Sequence, residues 1–173
     1  MTTSISLARG AAHPPLLEHT IGEALGRAGA RWGDALALVS AHQGVRWSWK
    51  ELAARADALA AGLLRLGLEP GDRVGIWSPN CAEWTLTQFA AARAGLILVT
   101  INPAYRRAEV EFTLKKVGVR ALVAAHAFKS SDYVAMIEAI APEVPASTAG
   151  RLASASLPDL AVLIKIGGEG RPQ

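Results

Sequence analysis

The sequence predicts an α/β fold with a parallel-core sheet and flanking helices. Three observations carry this. Short apolar runs begin near Arg73, Leu96 and Arg120, about 23 residues apart, which leaves room for the crossover of a dozen or more residues that parallel strands need. The runs are apolar throughout rather than alternating, as in strands covered on both faces. The segments between them carry apolar residues at helical spacing and stop at Gly95 and Gly118, where helices commonly end.

The elements follow in order. Thr20-Ile21-Gly22-Glu23 has the form of a capping box, a hydroxyl at the cap and a carboxylate three residues on. It predicts a helix from Thr20 to Arg31. Ala35–Ala41 and Val45–Trp49 flank His42-Gln43-Gly44 and read as a hairpin. Ser48-Trp49-Lys50-Glu51 is a second capping box. Leu52, Leu59, Leu63 and Leu66 then share one helical face, with Glu51 and Arg55 spaced to pair on the other. Gly67 stops this helix, and Glu69-Pro70-Gly71-Asp72 forms a turn.

Arg73 to Trp77 is the first strand of the sheet. A helix from Asn80–Glu83 to Ala94 leads to a strand over Leu96–Ile101. A helix over Arg106–Val117, with Val110, Leu114 and Val117 inward, leads to a strand over Arg120–Ala124. Ser131–Ala141 is a further helix, with Tyr133, Met136, Ile137 and Ile140 at helical spacing. Pro142–Ser156 is rich in Pro, Ala, Ser, Thr and Gly and reads as a loop. Leu160–Ile166 suits one more strand. Residues 1–17 read as a flexible amino-terminal tail and 18–173 as one domain.

Composition narrows the function classes. The chain has 173 residues, 51% hydrophobic and 19% charged, enough for a real core and too apolar for general disorder. Its net charge of +3 comes from scattered basic residues, without the basic, aromatic-interleaved face of a nucleic-acid binder. Cys81 is the single cysteine, so no internal disulfide forms, which suits a reducing compartment. That predicts a cytoplasmic location, with the mitochondrial matrix as the alternative; Arg9, with no acid before Glu18, is a weak sign of a transit peptide. The apolar run Leu86–Ile101 is broken by Gln88 and Arg93 and falls short of the roughly 20 residues of a membrane span.

Most catalytic signatures are absent: the Walker loop, a strand-linked G-x-G-x-x-G, the G-x-S-x-G elbow, H-E-x-x-H and C-x-x-C. His13, His19, His42 and His126 have no ligand spacing. Cys81 sits at a helix start, where a thiol can be activated, yet reads better as a small residue packed in a turn. Gly167–Gly170 lacks the following helix of a phosphate loop. The loops after the first two sheet strands are more informative, because open parallel sheets bind ligands outside the carboxyl ends of their strands. Asn80 lies in one such loop, and Asn102, Pro103 and Tyr105 in the other. They are candidate pocket-lining residues; the same short polar groups also suit caps and turns.

Several segments together carry a family resemblance. They are Trp47-Ser48-Trp49-Lys50-Glu51-Leu52, then Leu66-Gly67-Leu68-Glu69-Pro70-Gly71-Asp72-Arg73-Val74. Ala91-Ala92-Arg93-Ala94-Gly95-Leu96-Ile97-Leu98-Val99 follows, then Asn102-Pro103-Ala104-Tyr105 and Glu109. In this order the chain, from about Leu16 to Ile166, resembles the opening of the adenylate-forming, AMP-binding synthetases. Within them it is most similar to medium-chain and fatty acyl-CoA synthetases.

The resemblance implies the first subdomain of the large amino-terminal domain of a ligase, truncated before its phosphate loop. It implies that a carboxylic acid and ATP give an acyl-adenylate and pyrophosphate, and that coenzyme A then takes the acyl group. ATP, Mg²⁺ and CoA are thus implied for the full-length enzyme and none for this fragment. The family's phosphate loop, Mg²⁺-binding Glu and catalytic Lys come after the matched region. No catalytic, cofactor-binding or metal residue carries over, and the fragment alone is expected to be inactive. Other readings are an adenylation domain for another acid, a non-catalytic interaction module that keeps the scaffold, and an unrelated Rossmann-like nucleotide binder.

Overall fold

The structure, a computed structural model, describes residues 8, 10–11, 13–148 and 150–167. Most of the tail, its transit-peptide sign at Arg9 included, and residues 168–170 of the glycine-rich end lie outside the described residues.

Helix α1 (Ile21–Trp32) starts from the Thr20–Glu23 capping box, with both reciprocal hydrogen bonds formed. Strands β1 (Leu36–Ser40) and β2 (Val45–Ser48) make the antiparallel hairpin, joined by a single 3₁₀ turn over Ala41–Gln43. Helix α2 (Trp49–Arg65) starts from the Ser48–Glu51 box, likewise complete. Four parallel strands follow: β3 (Arg73–Trp77), β4 (Ile97–Ile101), β5 (Val119–Ala124) and β8 (Val162–Lys165). Helices α3 (Ala82–Arg93), α4 (Arg107–Val117) and α5 (Tyr133–Ile140) connect them. Between β5 and α5 lies a two-residue-per-strand hairpin, β6 (Ala127–Phe128) with β7 (Ser131–Asp132).

The sheet order is β4-β3-β5-β8. The chain steps outward from β3 to β4, then returns across β3 to β5. Right-handed crossovers therefore place α3 and α4 on opposite faces. The packing shows the two layers. On one face Val74, Ile76, Ala121, Val123 and Val162 pack with Ala60, Leu63, Ala90 and Ala91 of α2 and α3. On the other, Trp77, Leu122 and Ala124 pack with Val110, Leu114, Tyr133, Ile137 and Ile140 of α4 and α5. Helix α1 forms an outer layer, where Leu25 meets Leu52 and Ala56 beside the hairpin.

Gly75 sits on β3 against the second face, with little room for a side chain. A Cβ there would lie 3.1 Å from Leu122, 3.2 Å from Val119 and 3.3 Å from Ile101. Gly118 ends α4 at φ 64°, and a Cβ would come within 2.7 Å of the Arg73 guanidinium, whose Nε donates to the Val117 carbonyl at 2.9 Å.

Some expectations are corrected. Leu66 follows the last turn of α2 and is 40% exposed; the inner face is completed by Ala56 and Ala60, small residues that let α1 and α3 approach. Val117 is also exposed, because Gly118 turns the chain directly after it. Glu51 is engaged by its capping box, and Arg55 lies over the Trp47 ring at 4.7 Å. Helix α5 begins at Tyr133, since Ser131 and Asp132 pair in the small hairpin and Asp132 caps the helix. Within Pro142–Ser156 a 3₁₀ turn covers Val144–Ala146, and Leu152 and Ser154 are buried.

Candidate functional site

The chain leaves β3 toward one face of the sheet and β4 toward the other. A crevice opens between adjacent strands wherever their outgoing connections part in this way. Here it has a volume of about 290 Å³ and is lined by Ser78, Asn80, Trp84, Thr100, Ile101, Asn102 and Pro103. No ionised side chain is among them. Hydroxyls and amides, one indole and a proline ring suit an uncharged group better than a phosphate.

Hydrogen bonds fix the loops that form its rim. After β3, the Ser78 hydroxyl donates to the Pro79 carbonyl at 2.8 Å and lies 3.3 Å from the Cys81 sulfur. After β4, Asn102 Oδ1 accepts the Ala104 N–H at 2.9 Å, and the Asn102 carbonyl accepts the Tyr105 N–H at 3.0 Å. The Asn102 side-chain oxygen is thereby committed to the turn, and its amide nitrogen is the group left to donate outward.

The β4 loop is also tied from below. The Trp77 indole N–H donates to the Asn102 carbonyl at 3.1 Å, and the Tyr133 hydroxyl donates to the Pro103 carbonyl at 2.5 Å. The two rings stack with centroids 3.8 Å apart and planes 10° from parallel. Burial pushes the Tyr133 phenol up to about 12, so it stays protonated and keeps donating.

Asn80, Asn102 and Pro103 meet at this crevice. Tyr105 turns away and lines a neighbouring groove of about 340 Å³ along α4, with Ala108, Glu109, Phe112 and Thr113.

Cys81 occupies the cap position of α3 without capping it. Gln43, from the hairpin turn, does so instead: its Oε1 accepts the Ala82 N–H at 2.7 Å, and its Nε2 donates to Glu83. His42 and Cys81 share a cleft of about 230 Å³, yet burial raises the thiol above its ordinary pKa, the opposite of an activated nucleophile. Among the described residues no three His, Cys, Asp or Glu side chains gather for a metal ion. Sequence reasoning missed Gln43 and Tyr133. The first acts across 39 residues and the second across 30, and no local pattern marks either.

Comparison with known proteins places this architecture. The sequence pattern of the AMP-binding enzymes matches residues 25–165. The chain belongs to the AMP-binding enzyme family. This AMP-binding chain is 41% identical over 162 residues to the mitochondrial medium-chain acyl-CoA ligase ACSF2 of Macaca fascicularis, covering 94% of its own length and 26% of that protein. It is 32% identical over 154 residues to the putative acyl-CoA synthetase YngI of Bacillus subtilis, covering 89% of its own length and 28% of the relative. Among solved structures, a putative long-chain-fatty-acid CoA ligase of Rhodopseudomonas palustris superposes with a TM-score of 0.71 at 30% identity, over 89% of this chain and 34% of that one. The amino-terminal domain of FACL13 from Mycobacterium tuberculosis gives a TM-score of 0.71 at 26% identity, over 85% and 34% of the two chains. The AMP-binding chain thus spans about a quarter of the length of the curated relatives it matches.

No helix among the described residues is long and apolar enough to cross a membrane.

Proposed function

We propose that this chain is the opening scaffold of an ATP-dependent acyl-CoA synthetase, which joins a fatty acid to coenzyme A through an acyl-adenylate. The observation that carries the reading is the 41% identity to a medium-chain acyl-CoA ligase across 94% of the chain. The neutral crevice at the carboxyl ends of β3 and β4 supports a positioning role. Asn80, Asn102 and Pro103 would line an uncharged part of a substrate and exclude water, and Tyr105 would border it from α4.

Adenylyl transfer needs concentrated positive charge or a metal beside the phosphate. Among the described residues no three His, Cys, Asp or Glu side chains gather for a metal ion, which supports a reading in which the chain alone is inactive and ATP, Mg²⁺ and CoA act with the longer protein. The reducing compartment that suits Cys81 is the cytoplasm or the mitochondrial matrix. The relatives' mitochondrial name supports the second.

The test is a chimera in which this chain replaces the matched segment of the Macaca fascicularis ligase. It is assayed with octanoate, ATP and CoA beside the isolated chain. The reading expects CoA-dependent AMP formation from the chimera and none from the isolated chain. A chimera that melts cooperatively and forms no acyl-CoA rejects it, as does turnover by the isolated chain. Replacing octanoate by aryl or amino acids tests the alternative acids.

A further inference from the structure

We infer that Trp77 and Tyr133 act together as a clamp that sets the position of the Asn102–Pro103 wall of the crevice, making Tyr133 a positioning residue.

Four observations combine. Tyr133 is fully buried, and a buried phenol requires a hydrogen-bond partner. Its partner is a loop carbonyl, Pro103 O, 30 residues away in sequence. Trp77, the last residue of β3, is also fully buried and spends its one donor on the adjacent carbonyl, Asn102 O. The rings that deliver these donors lie flat against each other, so one cannot shift without the other. A loop that needed only to be covered could rest on Leu or Phe. Instead two donors grip two consecutive carbonyls, which fixes the loop's height and rotation above the sheet.

What that fixes is chemical. The Asn102 carbonyl accepts from both Trp77 and the Tyr105 N–H, while the Asn102 side chain accepts from Ala104. Locking the carbonyls therefore orients the Asn102 amide nitrogen, and the Pro103 ring beside it, at the mouth of the crevice. Tyr133 stands on the opposite side of that loop and is not among the crevice-lining residues. Its influence runs through Pro103. The clamp itself does not depend on the acyl-CoA synthetase reading; its effect on turnover rests on that reading.

Tyr133→Phe removes one hydroxyl and keeps the stack. In the intact 173-residue chain, amide hydrogen exchange at Ala104 and Tyr105 should speed up about tenfold, while β3 and β5 amides change less than about twofold. Trp77→Phe provides a second variant with the indole donor gone, and the same two amides should lead its response. In the octanoate chimera, Tyr133→Phe should lower kcat/KM about five- to tenfold with little change in Tm. A uniform change in exchange across sheet and loop, or none at Ala104 and Tyr105, overturns the clamp. Loop-specific exchange with unaltered kcat/KM overturns the positioning role. If the unsubstituted chimera is inactive, the synthetase reading fails and the exchange experiment still decides the clamp.

Discussion

Gln43 accepts the main-chain N–H of Ala82 at 2.7 Å and so caps helix α3 from the turn of the β1–β2 hairpin. The same side chain takes a hydrogen bond from Ser40 and gives one to Glu83. One glutamine thereby joins the outer hairpin to the helix that leads away from the crevice. Gln43→Ala leaves a helix N–H without its acceptor, and should cost about 1–2 kcal/mol in urea unfolding. Gln43→Glu keeps the acceptor but sets a carboxylate against Glu83. It should destabilise the chain more at pH 7 than at pH 4.

Gly75 should accept no larger residue cheaply. Gly75→Val would press on Leu122, Val119 and Ile101 in the centre of the sheet, and overpacking of this kind costs about 1–3 kcal/mol. At this chain length that corresponds to a fall in Tm of roughly 3–10 °C. Gly75→Ala should lie between, since the atoms met first are side-chain methyls that can give by a few tenths of an ångström. Gly118→Ala should be harmful for a different reason: it forces a left-handed conformation, at about 1–2 kcal/mol, and displaces Arg73 from the α4 carboxyl end.

Acid stability should follow the two capping boxes. Hydrogen bonds from Thr20 hold the Glu23 carboxyl below its ordinary value, and those from Ser48 do the same for Glu51. A folded pKa below the unfolded one means the unfolded chain binds more protons. The stabilisation is therefore present above the unfolded value of 4.5 and lost as pH falls through the lowered folded values. Glu23→Gln with Glu51→Gln keeps both boxes as neutral caps. The double variant should show a flatter loss of stability below pH 4.5, measured by urea unfolding across pH 3–6.

Cys81 should be a slow thiol. Burial raises its pKa above the ordinary 9.0, so iodoacetamide should alkylate it more slowly than free cysteine at pH 8, with the rate still climbing above pH 9. The sign carries to stability: the contribution is intact below pH 9 and is lost as pH rises through the raised value. Rapid alkylation at pH 7 would instead mark an activated thiolate in the cleft it shares with His42.

Much of the fold was legible in the sequence because it is written in local signals. The capping boxes at Thr20 and Ser48 form as read, since each needs only residues three apart. The strands at Arg73 and Leu96 and the helix between them follow from apolar runs punctuated by glycine. Two errors fall at helix ends: Leu66 lies just past the last turn of α2, and Val117 is the last residue of α4, before Gly118 turns the chain. The Ala127–Phe128 and Ser131–Asp132 hairpin was missed because two residues per strand hold no period. For the crevice, Asn80, Asn102 and Pro103 could be named from their place after strands. Tyr105, named with them as a candidate pocket-lining residue, lines the neighbouring groove along α4. Gln43, Trp77 and Tyr133 act over 25 to 39 residues, and only folding brings them to their partners.

The central claim, that this chain is the opening scaffold of an acyl-CoA synthetase, is tested most directly by octanoate-dependent ATP–pyrophosphate exchange in the chimera with the Macaca fascicularis ligase. The account predicts exchange that requires octanoate and Mg²⁺ and is absent from the isolated 173-residue chain. A folded chimera without octanoate-dependent exchange, or exchange by the isolated chain, would contradict it.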